Sequence, residues 1–205
     1  MNRQIVQIFH NLIGRGRKSG GKSNVKNSAS GALYDADRNI SGDSIKQSES
    51  AAAQMLDLKT FERIVGESLG QAREQGCLLT VDVDKFRDVN DLYGQEAGGA
   101  VLRCVERVLC DVFGGHACIC SPGGDIFVLW LSKMSHDDAD EIRRRVGIAN
   151  DRLLHPDAGI PPVSLSAGAA FRESGDDSRS IVKRANMALY RVKESGRCGC
   201  ELTSL

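Results

Sequence analysis

From residue 51 onward, apolar residues recur with two different periods. Leu58, Phe61, Ile64, Val65, Leu69 and Ala72 are spaced by three and four, which predicts a helix over 51–75 with one apolar stripe. Residues 77–83 are almost continuously apolar and predict a strand buried on both faces. A charged turn and short helix follow over 84–93. Ala100, Val101, Val105, Val108, Leu109 and Val112 return to helical spacing over 96–113. Gly114-Gly115 stops that helix, and two short apolar runs flank Pro122-Gly123-Gly124-Asp125, the composition of a tight hairpin over 118–130. A helix over 137–154 carries Arg143, Arg144 and Arg145, a charge run typical of a solvated face. Pro161-Pro162 introduces a strand over 163–171. A last helix begins at Asp176 and Asp177, carries Ile181, Val182, Ala185, Ala188, Leu189 and Val192, and closes at Gly196. A final short strand is expected within 198–203. This order predicts an α/β fold with a mostly antiparallel central sheet and helices packed on it.

Residues 1–50 read differently. Ile5, Ile8, Phe9, Leu12 and Ile13 fall at helical spacing and a basic run follows. That suits a short amphipathic segment on a membrane surface or in a partner's groove, and equally a frayed tail. Residues 14–50 are rich in Gly, Ser, Asn, Lys and Asp and too poor in apolar anchors to offset ordering entropy, so they read as a disordered linker. Within it, residues 16–23 match the P-loop pattern, but neither a buried strand before nor a helix after accompanies them, and the match reads as chance. The domain boundary is placed at 50/51, giving an appendage over 1–50 and one folded domain over 51–205.

Lys plus Arg and Asp plus Glu number 27 each, so overall charge gives no argument for nucleic acid. No apolar run approaches the ~20 residues of a membrane span, and no secretory leader is legible, so a cytoplasmic protein is expected. The 7 cysteines should therefore stay reduced. Cys118 and Cys120, and again Cys198 and Cys200, share a spacing that leaves two readings open, a thiolate metal site or small buried hydrophobes. His10, His116, His136 and His155 are scattered, and no nucleophilic triad is legible.

The candidate chemistry is carboxylate chemistry. Asp82 lies at the end of the strand over 77–83 with Asp84 just after it, and Asp125 sits in the glycine turn. If the two strands are neighbours, Asp82 and Asp125 meet at one rim, and such oxygens suit a hard cation that also holds phosphates. An EF-hand reading fails, because Phe86 and Arg87 occupy positions that a calcium loop gives to a ligand and a glycine.

Three segments in order carry a family likeness: Asp82-Val83-Asp84-Lys85-Phe86-Arg87-Asp88-Val89-Asn90-Asp91-Leu92-Tyr93-Gly94, then Gly123-Gly124-Asp125-Ile126-Phe127, then Ala188-Leu189-Tyr190-Arg191-Val192-Lys193-Glu194-Ser195-Gly196-Arg197. Together they resemble the GGDEF domain of bacterial diguanylate cyclases, which join two GTP molecules into cyclic di-GMP on a palm-like, ferredoxin-like (nucleotidyl cyclase) sheet. The resemblance implies that Asp82, the Val83 carbonyl and Asp125 would hold Mg²⁺. It implies nucleotide contacts from Phe86, Arg87, Asn90, Gly123, Gly124, Lys193 and Arg197. Lys193 and Arg197, four apart, would share one helical face.

The departures from the family pattern weigh against catalysis. Ile126 stands where a second carboxylate is usual, Gly99 where an Asp reads guanine, Ser121 where an Arg precedes the glycines, and Asn186 where an Asp lies in the last helix. Gly114 and Ala117 occupy the positions of the inhibitory Arg-x-x-Asp motif, and Ala51-Ala52-Ala53-Gln54 those of an opening Asp-x-Leu-Thr segment. The expectation is a degenerate, regulatory member of cyclic di-GMP signalling that binds GTP or a protein partner, with Asp82 and Asp125 as catalytic remnants. The alternative is a diguanylate cyclase working as a homodimer.

Overall fold

The computed structural model describes residues 54–71 and 74–203. The expected amphipathic segment, the linker and its P-loop match lie outside them. β1 (Gln54–Leu56) and α1 (Leu58–Gly70) occupy most of the span expected to be one helix. The difference has a tertiary cause: Gln54 to Leu56 pair parallel with Cys118 to Cys120 across the sheet. Asp57 then starts the helix as its N-cap, accepting from the Thr60 N–H at 3.0 Å.

β2 (Gly76–Val83) is buried along its whole length. α2 (Phe86–Phe113) is interrupted at Gly94, whose φ of 84° and ψ of 164° separate the short and long helices anticipated from the pattern. β3 (Ala117–Gly123) and β4 (Ile126–Ser132) form the hairpin. α3 (Ala139–Leu154), β5 (Leu165–Phe171), α4 (Ser178–Glu194) and β6 (Gly199–Leu202) complete the chain.

The sheet order is β1-β3-β4-β2-β5-β6. The three inner pairings are antiparallel and the two outer ones parallel. Strand alternation divides the core into two layers. Cys77, Leu79, Val81 and Val83 of β2 face α2 and α3, with Val101, Val105, Leu109, Ile142 and Val146. Leu78 faces α1 and α4, with Phe61, Val65, Ile126, Trp130, Ile181 and Ala185. Asp82 lies on this second face.

α4 lies directly on β5. A Cβ at Gly168 would stand 2.1 Å from the Ala185 carbonyl oxygen and 2.1 Å from the Leu189 nitrogen, so only glycine permits that approach. Asn150 of α3 anchors the start of β5 by donating to the Leu165 carbonyl at 3.1 Å and accepting its N–H at 2.6 Å.

Cys118 and Cys120 pack in the second layer and Cys200 against the first, on opposite faces of the sheet. The four cysteines therefore do not assemble one metal site. The arginine run is solvated only in part. Arg143 and Arg144 pair with Asp140 and Glu141 on the surface, whereas Arg145 also donates to the Phe113 carbonyl at 3.1 Å and caps α2.

Candidate functional site

β2 and β4 are neighbours, so their top ends bring the carboxylates together. Asp82 pairs with Ile126, and the Val83 N–H donates to the Asp125 carbonyl at 2.9 Å. Between the strands, Gly123 and Gly124 adopt φ of 136° and 66°, which the hairpin needs and side chains resist. The Asp125 side chain emerges from this turn partly exposed.

Asp82 is 3% exposed. Burial pushes its carboxyl up to about 6; Lys193 pulls the other way, and Asp125 and Asp84 add to the rise. The Lys193 ammonium reaches in from the end of α4 to 2.6 Å from Asp82 Oδ2. A buried carboxylate among two others is tolerated here because a cation is already beside it.

Asp84 has a different environment. Its oxygens accept from the hydroxyls of Ser164 and Ser166, each at 2.7 Å, and from the Cys198 N–H at 3.2 Å. Arg197 Nε lies 3.9 Å away. Asp84 thus ties β2 to β5 and to the segment after α4. Its partners lie 80 and more residues away, so nothing local in the sequence marks this role.

Lys193 and Arg197 are not carried by one helix. α4 ends at Glu194, and Gly196, Arg197 and Cys198 all have positive φ, of 112°, 70° and 53°. The two cations do not share a helical face. They still converge, Lys193 on Asp82 and Arg197 on Asp84, because the left-handed turn redirects the chain. Two successive non-glycine residues in that region cost about 1–2 kcal/mol each, which the Asp84 contacts offset.

At the start of α2, Phe86 packs against the first core layer and Arg87 is exposed. Asn90 lies against Gly98: a Cβ there would be 2.0 Å from Asn90 Oδ1 and 3.3 Å from Phe86 Cζ. Phe86, Asn90 and Gly98 therefore pack against one another. Arg103 stands above Gly99.

Ile126 is the feature furthest from a polar site. It is fully buried, directly opposite Asp82, among Phe61, Val65, Leu78 and Val128. Apolar contact on that side is part of what desolvates Asp82.

Residues 53–198 match the family described as "Diguanylate cyclase, GGDEF domain". The chain belongs to this family. Among curated relatives, this GGDEF chain is 30% identical over 156 residues to "Diguanylate cyclase DosC" of Escherichia coli (strain K12), covering 73% of this chain and 34% of that protein. It is 34% identical over 122 residues to "Diguanylate cyclase DgcM" of the same strain, covering 58% of this chain and 29% of DgcM. The chain thus spans about a third of the length of the curated relatives it matches. In fold, this GGDEF domain superposes on the active GGEEF domain of a Vibrio cholerae diguanylate cyclase with a TM-score of 0.67, at 22% identity over 74% of this chain and 99% of the other. It superposes on Pseudomonas aeruginosa diguanylate cyclase SiaD, solved with its activator SiaC, at 0.66 and 25% identity, over 72% and 58% of the two chains. The expected palm-like α/β fold is the observed one. No helix among the described residues is long and apolar enough to cross a membrane.

Proposed function

We propose that this GGDEF domain is a nucleotide-binding regulatory module of cyclic di-GMP signalling that does not itself make cyclic di-GMP. One observation carries the reading: Asp82, Val83 and Asp125 meet at one rim of the sheet, while position 126 is an isoleucine sealed into the second core layer. Joining two nucleotides requires proton removal from a ribose hydroxyl and neutralisation of charge at the attacked phosphate. Without the usual carboxylate at 126, the rim keeps the second capability and loses a candidate for the first.

The donor set fits a divalent hard cation. All its ligands would be oxygens, two carboxylates and a main-chain carbonyl; a cation there would take the place of the Lys193 ammonium at Asp82 Oδ2 and release Lys193 to the phosphates. Mg²⁺ bound there would neutralise phosphate charge. Gly123 and Gly124 leave room for the phosphate chain, Lys193 and Arg197 supply cations, and Arg87 adds charge at the mouth. Phe86 and Asn90 hold the base.

A protein partner accords with this role, since the related SiaD was solved with a protein activator. The competing reading, a diguanylate cyclase assembled as a homodimer, draws on the same rim. Incubation of the full chain with GTP and Mg²⁺, with chromatographic detection of cyclic di-GMP, separates the two. No product is expected, together with calorimetric binding of a Mg²⁺–nucleoside triphosphate analogue. Product that disappears in Asp125→Ala would overturn the proposal in favour of the cyclase.

A further inference from the structure

Among the described residues, Asp82 Oδ2 has one partner, the Lys193 ammonium at 2.6 Å. A divalent cation and an ammonium repel each other, and strongly where burial removes the screening of water. The two therefore compete for this carboxylate. Asp125, the other carboxylate of the rim, forms no ion pair among the described residues and leaves Lys193 alone to balance the pair.

Lys193 can yield without any movement of the helix. α4 is fixed by its close seat on Gly168 and by the buried Leu189 and Val192. The Lys193 side chain is 23% exposed, and its flexible four-carbon stem can turn outward. What it lacks is a second anion. Asp84 is engaged by Ser164, Ser166 and the Cys198 N–H, Glu194 accepts from the Tyr190 hydroxyl, and Asp125 is the cation's other ligand. A bare cation thus leaves Lys193 to water, whereas a triphosphate brings the missing anion with it.

We propose that Lys193 determines which species the rim admits, excluding the free divalent cation and accepting the cation together with a triphosphate. This rests on the cation and nucleotide site proposed above and adds its selectivity. The anion that draws Lys193 away opens Asp82, and the cation that displaces Lys193 frees it for the anion, so each favours the other equally. Such a coupling is worth about tenfold or more in affinity.

The test is titration of the full chain at pH 7.5 with Mn²⁺ alone, a hard-cation probe whose free fraction is read by electron paramagnetic resonance. Lys193→Met should bind Mn²⁺ about tenfold tighter than the unaltered chain, and Mn²⁺ should raise its urea midpoint while leaving that of the unaltered chain almost unmoved. Lys193→Gln, which can still donate to Asp82 if the methionine variant folds poorly, should also bind tighter; Lys193→Arg, which keeps the charge, should not. Equal affinity of the unaltered chain and both neutral variants would overturn the inference and leave the site reading intact. A gain in Lys193→Met that survives the addition of Asp125→Asn would place the cation elsewhere and overturn both. So would the absence of Mn²⁺ binding by every chain, with and without the β,γ-imido analogue of GTP, when circular dichroism is native.

Discussion

Lys193→Met removes the counter-charge of Asp82 and should make stability depend more steeply on pH. In the folded chain burial holds the Asp82 carboxyl at about 6, against 3.8 ordinarily, even with Lys193 at 2.6 Å. The folded state therefore binds more protons than the unfolded state between those two values. The stability linked to Asp82 is fully present below pH 3.8 and declines as pH rises to about 6. At about 1.4 kcal/mol per pKa unit, the ionised carboxylate costs about 3 kcal/mol at neutral pH. Lys193 limits that cost, and it acts only on the ionised form. Breaking a buried pair typically costs about 3–5 kcal/mol. Here the loss should be smaller, because Lys193 is 23% exposed and Asp82 can take up a proton. The variant should lose little at pH 5 and about 2 kcal/mol at pH 8. Urea denaturation of both chains at pH 5, 6, 7 and 8, followed by circular dichroism, measures the difference. In an Asp82→Asn background the same substitution should cost an equal amount at every pH. A loss in the Asp82 chain that is flat across the series, or greatest at pH 5, would refute the assignment of Lys193 as the partner of an ionised Asp82.

Gly168→Ala should lower stability by about 2–3 kcal/mol, because the new methyl meets the α4 backbone rather than a movable side chain; a thermal midpoint lowered by less than about 2 °C would argue that α4 can shift. Asn150→Ala leaves the N–H and C=O of Leu165 unpartnered in a buried position and should cost about 2–3 kcal/mol in chemical denaturation, with Asn150→Asp recovering only the acceptor half. Ile126→Glu restores the family signature but buries a carboxylate opposite Asp82. It should cost about 2 kcal/mol or more at pH 7 and less at pH 5, where protonation relieves the repulsion. A penalty independent of pH would mean that the new side chain escapes to solvent.

Much of this domain was legible because its signals are local. The unbroken apolar run before Asp82 fits a strand buried on both faces, and Gly94 divides α2 where the periodicity resets. The glycine turn places Asp125 at a strand end. The three motifs that carry the family likeness also lie within short segments, so their order along the chain suffices. What failed was contact-dependent. Residues 54–56 have no strand signature and are a strand only because the edge of β3 is open to them. Lys193 and Arg197 looked like one helical face, but the left-handed turn at Gly196 to Cys198 sends them to different carboxylates.

The amino-acid order alone determined the element types, the antiparallel centre of the sheet and the positions of Asp82 and Asp125, since periodicity and turn composition act over a few residues. The state of those groups is set by the packed fold. Burial of Asp82 beside Ile126, its neutralisation by Lys193, the serine cradle around Asp84 and the seat of Arg103 above Gly99 depend on distances between side chains, most of them from separate elements. Charge, desolvation and hydrogen bonding are set by those through-space distances, and residue spacing along the chain does not encode them.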